Sequence, residues 1–315
     1  MPIWDYYGNL LCKGIPSGSW TDTQCINAFM SYMTAKCAKY GMTGTVFANP
    51  SGLTLDSTST PQDMLKLGAA LCSYPNALDF WSTPSRSFEI VGPQARSLSI
   101  SNDTITDYTA ILSPAGYKFL GGKGGSLTMS GYDRSMIAII DIENIPVLIS
   151  LMARGSSSYN NRIYCVKEMC DMMKAVINGQ IPTQGTYLNT LIADGGGYAA
   201  CAAPDQVAAY LNLETPAELR QRDIAISASP TVSRRPASAT KNMTMICALD
   251  FIDDIWDTLT VKTSDITGGS GSTYYAGDVM SWDTAFRIIM MESSNTIATA
   301  IARSIGMIIL AKGVD

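Results

Sequence analysis

Ser238 and Lys241 are the residues in this sequence whose types and spacing best fit nucleophilic chemistry. Three positions apart on one helix, they project from the same face, one above the other. A lysine that is buried or close to another cation loses its proton more readily, and the neutral amine can then take the proton of the adjacent hydroxyl. The chain contains no histidine, which excludes Ser-His and Cys-His devices and leaves lysine as the base. The alternative is a solvated serine and lysine on a helix surface, because both residue types are common.

Two further segments carry polar or glycine residues between apolar patterns. Glu292–Thr296 separates two apolar helical patterns. It fits either a helix break capped by Ser or Asn, or a polar segment facing a cleft, with Ser293 as a proton relay and Asn295 orienting a lysine or a substrate amide. Gly121–Ser126 follows a predicted strand and fits either a flexible hairpin or a strand whose bare backbone pairs with an extended peptide. The second interpretation brings Lys123 beside the reactive serine.

These segments need helices and strands to position them. Pro236 is typical of a helix start, directly before Ser238. Apolar spacing predicts helices over 24–40, 62–73, 75–82, 160–177, 283–291 and 296–309, and short antiparallel strands at Tyr117–Leu120, Arg134–Ile142 and Ile145–Met152. We also expect a hairpin within 1–18, a loop-rich region with short strands over 86–114, a polar glycine-rich linker over 179–197, strands at Tyr198–Ala203 and Ile224–Ser229, a short helix around Gln206–Asn212, and an extended segment at Asp257–Ser264.

Composition excludes several classes of protein. Apolar residues make up 46% of the 315 residues and charged residues only 16%, which indicates a globular chain with a large core. The net charge of −5, without a basic stripe, argues against nucleic acid as a partner. The apolar runs are too short to span a bilayer and the first residues lack a signal pattern, so we expect no membrane anchor and a cytoplasmic location. The eight cysteines form no CxxC pair, and we expect reduced core thiols with no metal site and no cofactor.

Taken together, the three motifs resemble those of the serine D-alanyl-D-alanine carboxypeptidases, that is, the low-molecular-mass penicillin-binding proteins, and of their β-lactamase relatives. That family combines SxxK, a Ser/Asn triplet and Lys-Thr-Gly. The counterparts here are Ser238–Lys241, Ser293–Asn295 and Lys123–Gly125. The resemblance covers most of residues 24–178 and 234–306, and the flanking segments that carry it are Arg235–Ser238, Thr260–Val261, Tyr275–Asp278, Met290–Ser293, Lys39–Met42, Phe47–Leu53 and Ser59–Met64.

The resemblance implies an α+β fold in which an antiparallel sheet flanked by helices adjoins an all-helical lobe. In the family the lysine-glycine motif comes last, whereas here it comes first, so the order reads as a circular permutation. Residues 1–178 would then form a permuted N-terminal part with the lysine-glycine strand. Residues 179–233 would form a linker and the first strands, and 234–315 the helical part with the other two motifs, together as one catalytic domain. The alternative is that the two halves pair between chains in a swapped homodimer.

The same resemblance implies a serine hydrolase and a role for each motif residue. Ser238 would attack the carbonyl of a D-Ala-D-Ala-type peptide, or be trapped by a β-lactam, with neutral Lys241 as its base. Ser293 would pass the proton to the leaving amine. Asn295 would hold Lys241 and the substrate. Lys123 would lower the pKa of Lys241 and attract the substrate carboxylate.

Substrate binding is expected at Gly124, Gly125, Ser126 and Thr128, with the amides of Ser238 and Ser126 as the oxyanion hole. Gly124 stands where the family has a threonine whose hydroxyl helps to hold the substrate carboxylate, and Ser126 or Thr128 could take that role. The alternatives are an intracellular esterase, a β-lactamase or a D-amino-acid peptidase on the same fold, and a non-catalytic homologue. Retention of both lysines and of the polar triplet argues for an enzyme.

Overall fold

The structure is a computed structural model that describes residues 20–129, 131–155, 159–203 and 224–313, with the short pieces 3–4, 10–11, 205 and 209. The helices in these residues are α1 (Asp22–Lys39), α2 (Pro61–Leu71), α3 (Pro75–Ser82), α4 (Asp103–Leu112), α5 (Tyr159–Ile177), α6 (Thr186–Ala193), α7 (Lys241–Leu249), α8 (Trp282–Met291) and α9 (Asn295–Lys312). The strands are β1 (Ile3–Trp4), β2 (Leu10–Leu11), β3 (Ser85–Ile90), β4 (Arg96–Ser101), β5 (Lys118–Leu127), β6 (Asp133–Ile142), β7 (Ile145–Ala153), β8 (Gly197–Ala202), β9 (Ile226–Ala228), β10 (Thr258–Thr260) and β11 (Val279–Ser281).

The central feature is a five-stranded antiparallel sheet in the order β5-β6-β7-β8-β9. The β6–β7 hairpin closes at Glu143 and Asn144, which both have positive φ, the backbone twist that suits a two-residue hairpin turn. Strand β5 lies at one edge, and within the described residues no strand pairs with its outer side. The α+β class and the predicted antiparallel strands are therefore confirmed.

The two faces of the sheet pack against different helices, which explains the long apolar runs in β6 and β7. Ile137 and Ile139 of β6 join the core formed with the helices that carry the two polar motifs. The alternate residues Met136 and Ala138 face the core formed with α4, α5 and α6. Because successive side chains of a strand point to opposite faces, Lys123 and Gly125 of β5 lie on the first face and Gly124 and Ser126 on the second.

Capping residues and a glycine fix the two longest helices of the first face. Thr21 caps α1 in a reciprocal pair with Gln24, and Ser294 Oγ accepts the backbone N–H of Ile297 at the start of α9. The helices α1 and α9 cross at Gly306, where a Cβ atom would lie 1.7 Å from the Cys25 carbonyl oxygen. Only glycine permits that approach, so the crossing is specified by the sequence.

Two helices were not predicted, and the reasons are local. The expected linker over 179–197 contains α6, which buries Leu188 and Leu191 and has no side-chain cap of its own. Glu168 of α5 accepts the N–H groups of Tyr187 and Leu188 instead, so the capping group is 19 and 20 positions away in sequence. The region 86–114, expected to be loop-rich, contains α4 as well as the predicted short strands.

Other expectations hold within narrower limits. The seven cysteines in the described ranges form no disulfide with one another and are buried, as expected of core residues. Strands β1 and β2 pair as the predicted hairpin, whereas its turn and the helix expected at Gln206–Asn212 lie outside the described residues. No helix among those that the structure describes is long and apolar enough to cross a bilayer.

Candidate active site

The segment before Ser238 is a tight, strained turn. Pro236 leads into a 3₁₀ turn over Ala237–Thr240, and the α-helix α7 begins only at Lys241. Ala237 has φ +49, which is unfavourable for a residue with a side chain and costs of order 1 kcal/mol or more. The prediction of a helix at this point is confirmed, with a tighter first turn than a regular α-helix. Ser238 itself is partly exposed, as a nucleophile must be.

Neighbouring segments hold this turn in place from two sides. Ser135 Oγ donates a hydrogen bond of 2.5 Å to the Pro236 carbonyl oxygen. Gly125 lies beside the same groups, and a Cβ there would be 2.4 Å from that oxygen and 2.8 Å from the Ser238 amide nitrogen. On the other side, a Cβ at Gly52 would lie 1.8 Å from the Ala237 carbonyl oxygen. Close backbone contact with two glycines therefore fixes the position of Ser238.

Lys241 is fully buried, and its amine has three oxygen neighbours. Nζ lies 3.0 Å from Ser238 Oγ, 2.8 Å from Asn295 Oδ1 and 2.8 Å from the backbone oxygen of Ser51. Two of these oxygens belong to carbonyl groups, which only accept hydrogen bonds, whereas the hydroxyl can also donate. A neutral amine has two N–H groups for the carbonyls and one lone pair for the hydroxyl proton, so the arrangement suits a general base.

Burial and a second lysine favour that neutral form. Desolvation lowers the pKa of Lys241 well below the usual lysine value, and the nearby charge of Lys123 lowers it further. Lys123 is itself 4% exposed, and its pKa is lowered to about 7, first by desolvation and second by the positive charge of Arg162. The Lys123 amine donates to the Gly124 carbonyl oxygen at 2.8 Å. Two buried amines therefore lie close enough for the charge of Lys123 to disfavour the charge of Lys241.

In the triplet after α8, each residue has a different environment. Ser294 is the helix cap described above, so the structural interpretation holds for that residue. Asn295 accepts from Lys241 and donates through Nδ2 to the Gly268 carbonyl oxygen at 3.0 Å, which fixes its amide. Ser293 has φ +66, and its Oγ is buried without a hydrogen-bond partner in the part of the chain that the structure describes. A strained serine with an unsatisfied hydroxyl is typical of a functional position.

The lysine-glycine segment divides between the two faces of the sheet. Lys123 and Gly125 lie on the face of Ser238 and Lys241, whereas Gly124 lies on the other, where a Cβ would be 2.6 Å from Arg162 Nη1. Ser126 and Thr128 are exposed. The structure thus joins Ser238, Lys241 and Asn295 in one hydrogen-bonded cluster and places Lys123 and Gly125 on the same face of the sheet. Gly124 takes part only through its carbonyl oxygen, which accepts from Lys123, and Ser126 and Thr128 lie outside the cluster.

Three contributors to the site were not identified from the sequence. The backbone oxygen of Ser51 lies within the segment Phe47–Leu53, which the resemblance singled out without a role for it. Ser135 and Arg162 had no signal, because a serine in a strand and an arginine in a helix are ordinary residues there. Ser51 could have been found only through that segment, since a backbone oxygen carries no mark in the sequence.

Arg235 joins three segments next to Ser238 through a salt bridge and a hydrogen bond. Arg235 Nη1 lies 3.1 Å from Asp133 Oδ2, and Arg235 Nε donates to the Leu55 carbonyl oxygen at 3.0 Å. Arg235, three positions before Ser238, is thereby tied to Asp133 at the start of β6 and to Leu55, just after the segment that contains Ser51. Within the part of the chain that the structure describes, no three acidic, thiol or imidazole side chains meet as a metal centre would require.

Comparison with family models, with curated proteins and with solved structures gives no match to this chain.

Proposed function

We propose that the protein is a serine acyl-transfer hydrolase similar to the D-alanyl-D-alanine carboxypeptidases, which binds penicillin and forms an acyl-enzyme on Ser238. The observation that carries the proposal is the fully buried Lys241 amine, 3.0 Å from Ser238 Oγ, with two carbonyl oxygens to occupy its N–H groups. A solvated lysine on a helix surface would show neither the burial nor the fixed partners.

In the first step, Lys241 Nζ takes the hydroxyl proton and Ser238 Oγ attacks the carbonyl carbon of the substrate. Such a positioned base contributes about 10²- to 10⁴-fold in rate. The oxyanion that forms is stabilised by the amides of Ser238 and Ser126, at roughly 3–4 kcal/mol per donor in hydrolases of this type. The contact of Gly125 with the Ser238 amide supports this role, because it brings the β5 backbone next to the nucleophile.

The leaving group then departs, and water completes the cycle. Lys241 gives the proton taken from Ser238 to Ser293, whose hydroxyl has no hydrogen-bond partner among the described residues, and Ser293 passes its own proton to the leaving amine, so that Lys241 is neutral again. The acyl group remains as an ester on Ser238, and water attacks that ester with Lys241 again as base. Asn295 holds the Lys241 amine throughout. Lys123 contributes charge to the cleft, which lowers the pKa of Lys241 and attracts an anionic substrate.

We further propose that the fold is that of the β-lactamase and DD-peptidase family in a circularly permuted order. The helices α1 and α9, which follow one another in the family, lie against each other here at Gly306 and Cys25. In the family's order, β7 would be the last strand of the sheet and β8 the first. Here these two strands pair antiparallel, with Val147 opposite Ala202. All residues of the hydrogen-bonded cluster belong to one chain, so a swapped dimer is not required to complete it.

The second candidate is a small-ester hydrolase, a β-lactamase or a D-amino-acid peptidase with the same nucleophile. Gly124 favours it, because the hydroxyl that helps to hold the terminal carboxylate in the family is missing. The space that a side chain at position 124 would need is taken by the Arg162 guanidinium, on the face of the sheet opposite to Ser238.

Intact-mass measurement after treatment with benzylpenicillin tests the first candidate. We expect the mass to rise by one penicillin, Ser238→Ala to stay unlabelled, and Ser233→Ala, an exposed serine in the same segment, to label like the parent. Labelling of Ser238→Ala would refute the acyl-enzyme. An unlabelled parent that hydrolyses simple esters through Ser238 would support the second candidate. A parent that does neither would indicate a non-catalytic homologue.

A further inference from the structure

The glycine-rich segment Thr267–Tyr274, called the covering loop below, lies along the polar triplet. Its last part bonds to Glu292, the residue directly before Ser293. The Glu292 carboxylate accepts from Ser272 Oγ at 2.6 Å and from the Tyr274 hydroxyl at 2.5 Å. The covering loop therefore fixes the chain immediately before Ser293, where the backbone turns to φ +66.

The middle of the covering loop determines how the Asn295 amide is turned. Asn295 Nδ2 donates to the Gly268 carbonyl oxygen at 3.0 Å, and the Asn295 backbone N–H donates to the Ser270 carbonyl oxygen at 3.3 Å. Gly269 has φ +107, and a Cβ there would lie 2.4 Å from Asn295 Nδ2, so only glycine lets the loop pass so close. Because Nδ2 faces the loop, Oδ1 is the atom that meets Lys241 Nζ, at 2.8 Å.

Arg96 of β4 holds the far end of the covering loop, although it lies 177 positions from Thr273 in the sequence. Its Nη1 and Nη2 donate to the two carboxylate oxygens of the fully buried Asp278 at 3.0 and 2.8 Å. Nη2 also donates to the Thr273 carbonyl oxygen at 2.9 Å, and the guanidinium lies 5.1 Å from the centre of the Tyr275 ring. The planar guanidinium can make a bidentate pair and this further bond together, which a lysine amine cannot.

The hairpin that carries Arg96 is itself fixed to the segment after the covering loop. Val91, directly after β3, exchanges both backbone hydrogen bonds with Val279 of β11, at 3.1 and 2.9 Å. A Cβ at Gly92 would lie 2.1 Å from the Gly277 carbonyl oxygen, so the two backbones are in direct contact. Arg96 therefore reaches the loop from a fixed base.

We propose that Arg96 is a positioning residue for Asn295. Through Thr273 it fixes the end of the covering loop, and the Gly268 carbonyl oxygen of that loop turns the Asn295 amide so that Oδ1 meets Lys241. Any effect on acylation rests on the proposed function, whereas the placement of the Asn295 amide does not.

The side-chain amide of Asn295 gives a direct readout in nitrogen–proton correlation spectra of the full chain, where its signals are those missing from Asn295→Asp. In Arg96→Met we expect these signals to move toward the positions of exposed amides, because the loop no longer holds Nδ2 against Gly268. Acylation of Ser238 by benzylpenicillin should slow about tenfold, since a small misplacement of a catalytic contact costs rate. Arg96→Met/Asp278→Asn carries the same expectations without an unpaired buried carboxylate, so it serves where the single variant does not fold.

Arg86→Met is the matched control. It removes an exposed arginine of the same hairpin whose salt bridge runs to Asp283, at 3.6 Å, and it should keep the parent's Asn295 signals and rate. Unchanged Asn295 signals in both Arg96 variants, or equal changes in Arg86→Met, would overturn the positioning role. Changed signals with the parent's rate would overturn the effect on acylation. A parent that penicillin does not label would refute the proposed function alone, because the spectra still decide the role of Arg96.

Discussion

Lys241 Nζ has two kinds of neighbour: carbonyl oxygens, which only accept hydrogen bonds, and the Ser238 hydroxyl, which both donates and accepts. Full burial lowers the pKa of Lys241 well below the usual lysine value, and the charge of Lys123 lowers it further. The amine is therefore neutral at a lower pH than an exposed lysine, as a base must be. Spacing in the sequence indicated the pair, but only the packing supplies the low pKa.

The roles proposed for Lys241 and Lys123 predict that kcat/KM depends on pH differently for an anionic peptide and for a neutral ester. In the proposed mechanism neutral Lys241 is the active form, so the rate should rise with pH through the lowered pKa of Lys241. Lys123 attracts an anionic substrate only while protonated, so kcat/KM for a peptide with a free carboxylate should fall as pH rises above about 7. A neutral ester should show the rise without the fall. Measuring kcat/KM from pH 5 to 9 for both substrates checks this, and an alkaline fall with the ester would contradict the role given to Lys123.

At the scale of elements, the position of Ser238 depends on close contacts that three segments make with the turn before it. Ala237 is held at positive φ between Gly52 on one side and Gly125 with Ser135 on the other. A strained residue persists only where its surroundings over-determine it. Among the described residues, the Ser135 hydroxyl makes the one side-chain hydrogen bond to the Pro236 carbonyl oxygen. We therefore regard Ser135 as a positioning residue.

Ser135→Ala should therefore slow acylation of Ser238 about tenfold while costing about 1 kcal/mol of stability, the usual value of one buried hydrogen bond. The slowing should appear in kcat rather than in KM, because the substrate does not touch this hydroxyl. Ser150→Ala is the matched control. Ser150 is a buried serine of the adjacent strand β7 whose Oγ has no hydrogen-bond partner within the described ranges, so its loss should leave both rate and stability unchanged or improved. Equal effects of the two substitutions on kcat would refute the positioning role.

At the scale of the whole molecule, the sequence predicted best what is local. The helices over 62–73 and 160–177 and the strands after Arg134 follow from apolar spacing, which one segment determines by itself. The helix α6 was missed because Glu168 of another helix caps it. The contact of Asn295 with Lys241, and the place of Lys123 on the same face of the sheet, were each expected as only one of two interpretations of a segment, because residues 54 and 115 positions from Lys241 and Ser238 carry no local mark of contact. The Ser51 oxygen could not be predicted at all from residue type.

The buried amines should also make the stability of the whole fold depend on pH. The pKa of Lys123 is about 7 in the folded protein and about 10.5 in the unfolded chain, so between these values the unfolded chain binds more protons. Stability from this group therefore rises with pH across that window, by about 1.5 kcal/mol between pH 7 and 8.5 at 1.36 kcal/mol per pKa unit. Above that range the buried cysteines and tyrosines, whose pKa values are raised by burial, act in the opposite direction. Urea unfolding of the parent and of Lys123→Met at both pH values measures the contribution of Lys123, since the variant lacks the increase in stability that this lysine causes. If the urea midpoint changed between pH 7 and pH 8.5 by the same amount in the parent and in Lys123→Met, Lys123 would be protonated in the folded protein at both pH values.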